Sequence, residues 1–215
     1  MSDRKTYIYV VLVRANTFLG RLARTLSHYE YTHIAFSEDP RRDEYITFSR
    51  RRHYAPFDAG FMRESLSCYA YGNYKRVKLK IYKLPVSPER LGVIREYISS
   101  VENGGYDFNI YSMVTMPVLH GFRIYKAHNC MSFVGKIIEL SKAIPLARPY
   151  YKYSIKDIDN LLSPYEYREK FYSRKENDKQ DPADSAYMER VSLVENAKMF
   201  ISLNVRLLKK IFTHM

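Results

Sequence analysis

A cysteine at a predicted helix start is the residue of this chain that most directly suggests chemistry. In the stretch KAHNCMSFVGKII, Cys130 precedes a run of helix-forming residues, 131–140. The first N–H groups of a helix have no partner within the helix and carry a partial positive charge, and both features stabilise a thiolate. Cys130 is therefore the candidate nucleophile.

His33 is the candidate base for this cysteine. It lies in a predicted strand, 31–37, where its imidazole can take a proton from a thiol and later give it to a leaving group. Such a pair attacks a carbonyl carbon, and backbone N–H groups around Cys130 can stabilise the negative oxygen of the tetrahedral intermediate. The predicted reaction is the cleavage or transfer of an acyl group held in an amide, ester or thioester.

Residue patterns predict the elements that must position these two side chains. Strand patterns occur at 6–13 and 75–84, and the strands 31–37 and 45–49 form a predicted antiparallel hairpin. A loop is predicted at 50–61. Helices are predicted at 16–26, 87–103, 106–119, 130–143 and 154–162. The predicted fold class is α+β, with an antiparallel sheet packed against helices.

The composition changes near residue 166. Residues 166–185 are heavily charged and poor in aliphatic side chains, which indicates a solvated connector. Residues 186–212 then show the spacing of a long amphipathic helix. The sequence therefore predicts one domain at 1–165, a charged connector, and a C-terminal helical extension within 186–215.

The apolar stripe of this C-terminal helix includes Leu193, Phe200, Ile201 and Leu208. Such a stripe has to be buried against the core of the same chain, a second copy of the chain, or a membrane surface. We expect a homodimer, because the charged connector would let the helix lie far from the domain and pair with its own copy.

The order of the segments resembles a known family. The stretches TYIYVVLVR, YTHIAFS and NCMSFVGKII follow one another, with His33 and Cys130 97 positions apart. This order is similar to the circularly permuted, NlpC-like branch of papain-fold cysteine hydrolases, which includes bacterial YiiX-like proteins and lecithin retinol acyltransferase. The resemblance covers about 5–165. It implies a permuted papain-like fold and a thiol hydrolase or acyltransferase.

The resemblance places the family's histidine on His33 and its Asn-Cys pair on Asn129 and Cys130. The acyltransferases have a histidine two residues after the cysteine, where this chain has Ser132. The YiiX-like proteins are therefore the nearer match.

A third polar residue that orients the histidine is implied on the next strand, within 43–49. Tyr45, Thr47 and Ser49 share one face of that strand. We expect Thr47 to be this residue because it lies in mid-strand, and Glu44 is the alternative if the register slips.

The net charge of +12 indicates acidic partners, and residues 1–165 hold +10 of it. Arg50, in the arginine run 50–52, would suit an acidic head group. Asn129, Ser132 and Arg50 are the candidate binding residues. The expected partner is an acylated or amide-containing small molecule, lipid or peptide, or another anionic ligand. Nucleic acid is not expected, because no RNA-binding motif accompanies the charge.

Other motifs are missing from the sequence. Neither Cys68 nor Cys130 lies in a CxxC or Cys/His metal spacing, and His128 has no close-spaced second ligand pair. Without a Walker A, GxGxxG or GxSxG motif, no cofactor or metal is expected. The apolar run 7–13 is too short for a transmembrane helix and lacks a cleavage site, so we expect a cytoplasmic location. The alternative function is a catalytically inactive papain-like module that binds an acidic ligand or anionic lipid.

Overall fold

The computed structural model describes residues 6–16, 18–71, 76–174 and 186–213. The strands are β1 (Thr6–Arg14), β2 (His33–Ser37), β3 (Tyr45–Arg52), β4 (Ala55–Glu64), β5 (Arg76–Val86), β6 (Asp107–Phe108), β7 (Ala127–His128) and β8 (Tyr167–Ser173). Six of them form one antiparallel sheet in the order β4-β3-β2-β1-β5-β8. The short strands β6 and β7 form a separate parallel pair.

The helices lie at the positions where caps and apolar spacing predict most of them. They are α1 (Phe18–Ser27), α2 (Pro88–Asn103), α3 (Ile110–Val114), α4 (Met116–Leu119), α5 (Cys130–Ser141), α6 (Ile155–Leu162) and α7 (Leu193–Thr213). Helix α2 begins as expected, with Ser87 accepting a hydrogen bond from the Arg90 N–H and Pro88 in the first turn. The coarse α+β class is confirmed.

The sheet separates two hydrophobic clusters because apolar side chains occupy both faces of β1. Ile8, Val10 and Leu12 belong to the larger cluster, which is completed by α2, α5, α6 and α7. Val11 and Val13 belong to a smaller cluster on the opposite face, beneath the segment 66–70. Both faces of β1 are therefore withdrawn from water, as in a central strand.

The predicted loop at 50–61 is wrong, because most of it belongs to β3 and β4. Pro56 and Gly60 suggested a loop, but β4 lies at the edge of the sheet, where a residue without an N–H donor is tolerated. Gly60 leaves room for the Arg51 side chain. A Cβ at this position would lie 2.3 Å from Nη2 of Arg51 on the neighbouring strand.

Part of the predicted connector is a strand. Residues 167–173 form β8, which pairs with β5 at the other edge of the sheet. Its side chains are almost all exposed, so the strand lacks the apolar alternation that sequence reasoning seeks. Ion pairs such as Lys78–Glu169 (3.4 Å) and the stacking of Arg76 on Phe171 link it to β5. The remaining connector residues, 175–185, lie outside the described ranges.

The C-terminal helix packs on its own chain, so the expected separation of the helix from the domain is wrong. Leu203 and Leu207 of α7 are fully buried in the larger cluster. Arg206 and Lys210 form ion pairs with Asp107 at 2.7 and 2.6 Å. The predicted helical segment 106–119 is also shorter than expected, since β6 occupies its start and only α3 and α4 are helical.

Candidate active site

Cys130 is the first residue of α5, as predicted. Asn129 is the N-cap, with extended backbone angles, and its side-chain oxygen accepts a hydrogen bond from the Ser132 N–H at 2.9 Å. The Ser132 hydroxyl in turn accepts from the Asn129 N–H at 3.0 Å, which completes a capping box. Because both ends of this box are satisfied, the helix start is fixed and the cysteine is held at the positive end of the helix dipole.

His33 is the first residue of β2, and α5 packs against β2 and β3. The packing brings the Cys130 side chain next to the His33 ring, close enough for the two groups to interact electrostatically. The other contact of the ring is made by Nε2, which lies 2.9 Å from Oε2 of Glu64. Nδ1 is therefore the ring nitrogen left for the thiol. The structure brings together the two residues that the sequence proposed as nucleophile and base.

Glu64 is the third member of this cluster, and sequence reasoning missed it. It is the last residue of β4 and is only 5% exposed. Besides His33, its carboxylate accepts hydrogen bonds from the Ser49 hydroxyl at 2.5 Å and the Tyr69 hydroxyl at 2.6 Å. Three donors thus satisfy a buried carboxylate, which keeps it charged and fixes its orientation.

The charges of this cluster depend on one another. Burial by itself would lower the pKa of His33. The charge of Glu64 and the interactions of the ring with the Cys130 and Glu64 side chains outweigh burial and raise the pKa of His33 to about 10. Burial would likewise raise the pKa of Glu64, but His33, Ser49 and Tyr69 hold it below its ordinary value. At neutral pH the pair is therefore an imidazolium and a carboxylate.

Hydrogen-bond donors suited to an oxyanion lie at the same helix end. The N–H groups of Cys130 and Met131 donate to no group in the part of the chain that the structure describes. The side-chain Nδ2 of Asn129 is buried and also has no partner there. Three donors at the start of α5 are therefore available to a carbonyl oxygen beside Cys130.

The structure does not place Thr47 beside His33. The Thr47 hydroxyl is fully buried and donates to the Ile34 carbonyl at 2.8 Å, across the β2–β3 ladder. Glu44, the alternative, pairs with Arg63 at the surface. Ser49, on the same strand face as Thr47, does reach the site, but it contacts Glu64 instead of the imidazole. The signal that could have found the third residue is Glu64 at the end of β4. It was missed because Pro56 and Gly60 made this strand resemble a loop.

The three candidate binding residues have mainly structural contacts. Asn129 and Ser132 form the cap of α5, and only the Asn129 Nδ2 remains available. Arg50 donates to the His53 carbonyl at 2.9 Å within the β3–β4 turn. Arg51 and Arg52 both pair with Asp58, at 3.4 and 2.8 Å, so these two guanidinium groups are engaged within the hairpin.

His128 does not join the Cys130 cluster. It is buried among aromatic rings and stacks on Tyr106 with an interplanar angle of 3°. Its Nδ1 contacts the Ser132 hydroxyl at 3.1 Å and its Nε2 contacts the Tyr97 hydroxyl at 2.9 Å. Burial, aided by nearby Arg123 and Lys136, lowers the pKa of His128 to about 3, so it is a neutral ring that supports the cap.

Cys68 is the last residue of a short 3₁₀ turn, Leu66–Cys68, and its sulfur lies 3.8 Å from the Ser65 hydroxyl. Among the described residues, no group of three or more His, Cys, Asp or Glu side chains is arranged to hold a metal ion. No protein-family model, curated protein or solved structure matches this chain.

Proposed function

We propose that the chain is a cysteine hydrolase or acyltransferase in which Cys130, His33 and Glu64 act as a triad on an amide, ester or thioester. The observation that carries the proposal is the position of His33. Its Nε2 contacts the buried carboxylate of Glu64, and its ring also interacts with Cys130, the first residue of α5. This is the order of nucleophile, base and orienting group that acyl transfer requires. We also propose that the fold is a permuted papain-like one, in line with the sequence resemblance.

The proposed reaction proceeds in two steps. His33, as its imidazolium, holds the proton of the Cys130 thiol. The Cys130 sulfur, as thiolate, forms a bond to the carbonyl carbon while the π electron pair of the carbonyl moves to oxygen, and this oxyanion accepts hydrogen bonds from the N–H groups at the start of α5. The tetrahedral intermediate collapses as His33 gives its Nδ1 proton to the leaving nitrogen, oxygen or sulfur, which leaves an acyl-thioester. Water or another acceptor then attacks this thioester, His33 takes the proton of the attacking group, and the Cys130 sulfur is released.

Glu64 has an orienting role in this scheme. Its carboxylate accepts a hydrogen bond from the Nε2–H group of His33, so the ring is held with Nδ1 towards sulfur and its positive charge is stabilised. Ser49 and Tyr69 fix the carboxylate and do not touch the reacting atoms. They are positioning residues.

Acylation by a generic ester tests the proposal without knowledge of the natural substrate. With p-nitrophenyl acetate, the full chain should release a burst of nitrophenolate and gain the mass of one acetyl group on the Cys130 peptide. Cys130→Ala and His33→Ala should each abolish the burst. The double variant should be no worse than either, because residues that act as one unit are non-additive.

Cys68→Ala is the matched control, since it removes the other thiol of the chain and should leave the burst unchanged. A burst that persists in Cys130→Ala would remove the nucleophile from the proposal. A Cys130 thiol that reacts with iodoacetamide at pH 7 no faster than Cys68 would favour the alternative, a papain-like binding module without activity.

A further inference from the structure

The outer face of α7 is apolar although its inner face is already packed. Leu203 and Leu207 are buried against the core, whereas a second stripe points away from it. The members of the second stripe recur at intervals of four, three and four residues and are 44% to 77% exposed: Ile201, Val205, Leu208 and Phe212. This spacing places them on one side of the helix over about three turns. We call these four residues the outer stripe.

A second exposed apolar group lies on the segment 109–126 between β6 and β7, which we call the excursion. Here α3 and α4 present Met113, Val114, Val118 and Leu119, which are 36% to 77% exposed. Tyr125, 41% exposed, follows on the same excursion and carries Lys126 near its ring. An aromatic side chain with a polar tip beside a lysine suits the boundary between water and an apolar phase.

The two apolar groups adjoin one another. The Tyr111 hydroxyl of α3 donates to Oδ1 of Asn204 on α7 at 2.5 Å. On α7, Ile201 and Leu208 lie three and four residues from Asn204, so they flank this contact on the helix surface. The Lys210 ammonium also donates to the Lys126 carbonyl at 2.9 Å, which joins the end of the excursion to the end of α7.

The charges around this surface have one sign. No acidic residue occurs between 108 and 138 or between 196 and 215. The adjoining Asp107 is paired with both Arg206 and Lys210. Lys198 and Lys209, three turns apart on α7, border the outer stripe, and Arg123 is exposed on the excursion. The net charge of the region is therefore positive.

We propose that the outer stripe of α7 and the apolar residues of α3 and α4 form one docking surface for an anionic lipid bilayer. Apolar side chains would enter the boundary between head groups and acyl chains, while Lys198, Lys209 and Arg123 would remain at the level of the anionic head groups. Charge complementarity selects this occupant. In the chain, the segment that carries α3 and α4 ends at β7, which is followed by Asn129 and Cys130.

A second copy of the chain is a poorer occupant for the same surface. Two outer stripes brought together would place the lysines of one α7 beside those of the other. Glu195, the acidic residue of α7, lies in its first turn, away from the stripe's basic end. Like charges across a contact oppose association, whereas the surface of an anionic bilayer attracts each of these lysines.

Vesicle flotation of the full chain tests the proposal. It should float with phosphatidylcholine vesicles that contain one-third phosphatidylserine, stay behind with pure phosphatidylcholine, and lose binding in high salt. Phe212→Ser and Val118→Ser should each weaken binding about tenfold, since each removes an apolar side chain from the buried layer. Lys209→Glu should weaken it by a similar factor.

The matched controls are Phe171→Ser and Lys170→Glu on β8, at the sheet edge opposite β4, where α7 packs. They should bind as the unaltered chain does. The proposal is overturned if the full chain ignores anionic vesicles, if the β8 variants weaken binding as much as the α7 variants, or if Phe212→Ser and Val118→Ser bind normally. It is also overturned if light scattering finds a dimer that Phe212→Ser dissociates and that vesicles do not displace.

Discussion

At the residue scale, the most informative atom pair is Nε2 of His33 and Oε2 of Glu64. It links a predicted base to a carboxylate that no sequence pattern assigned to the site. The role of Glu64 has two separable consequences, one for turnover and one for the dependence of stability on pH. Because Gln has the shape of Glu and lacks its charge, Glu64→Gln probes both.

Glu64→Gln should lower the rate constant of acylation on the order of 10²-fold and change the apparent substrate affinity little, because the carboxylate orients His33 and does not touch the acyl group. The acetylation burst, followed over a range of ester concentrations, measures the rate constant and the apparent affinity separately. Glu44→Gln removes an exposed carboxylate that pairs with Arg63 and should acylate normally. An unaltered burst rate in Glu64→Gln would exclude the orienting role.

The pair should also stabilise the fold within a defined pH window. The raised pKa of His33 contributes stability that is complete below its ordinary 6.5 and is lost as pH rises through about 10. The lowered pKa of Glu64 contributes stability that is complete above its ordinary 4.5 and is lost as pH falls through its folded value. The unfolding free energy of the chain, minus that of Glu64→Gln, should be largest between about pH 4.5 and 6.5. A difference that grows from pH 7 to 10 would contradict this.

Asn129 offers a second test at the residue scale, because its side-chain oxygen and nitrogen have different environments. The oxygen caps α5, whereas Nδ2 is buried without a partner among the described residues. Asn129→Asp and Asn129→Ser keep an acceptor for the cap and remove the amide donor. Both should keep a melting temperature close to that of the unaltered chain. Both should slow acylation by about 10²-fold if Nδ2 binds the oxyanion. Normal acylation in both variants would assign Asn129 to capping alone.

At the element scale, α7 has two faces with different consequences for stability. Leu207 is fully buried and Leu208, the next residue, is 44% exposed. Leu207→Ala should therefore cost about 3 kcal/mol in the free energy of unfolding, whereas Leu208→Ala should cost less than about 0.5 kcal/mol. Urea denaturation of the two variants provides the comparison. Equal, small losses would mean that the helix does not dock on the core.

The segment β7 and the start of α5 depend on a neutral histidine. A His128 pKa lowered to about 3 contributes stability that is present above the ordinary value of 6.5 and lost as pH falls towards 3. The unfolding free energy of the chain relative to His128→Asn should thus decrease on acidification below pH 6.5. His28→Asn, at an exposed position with a left-handed backbone, is the control. A flat difference between pH 7 and 4 would show that the ring is charged or exposed in solution.

At the scale of the whole molecule, β8 and α7 belong to the fold. Truncation after residue 165 removes β8 from the sheet edge and α7 from the larger cluster. The truncated chain should unfold at lower urea concentration, with a lower melting temperature, and should bind a dye for exposed apolar surface. A truncated chain as stable as the full chain would restore the independent extension that the sequence suggested.

The sequence by itself determined the local features of the site. The helix start at Cys130 follows from Asn129 and Ser132, which satisfy the first N–H groups of any helix placed there. The strand with His33 and the central strand β1 follow from runs of β-branched and apolar residues. Such runs favour strands, and their apolar side chains are buried in the sheet. Each of these features depends on residues a few positions apart, so periodicity and capping were enough to predict it.

Only the tertiary structure decided the third residue and the place of the C-terminal helix. Glu64 reaches His33 through the pairing of β4 with β3, and Pro56 and Gly60 made β4 resemble a loop. The edge strand β8 carries no apolar alternation because its side chains are almost all exposed. The burial of Leu203 and Leu207 depends on a surface contributed by distant segments. Contacts between residues far apart in the chain leave no local period. The sequence therefore indicates Thr47, with Glu44 as the alternative, and only the pairing of the strands brings Glu64 to His33.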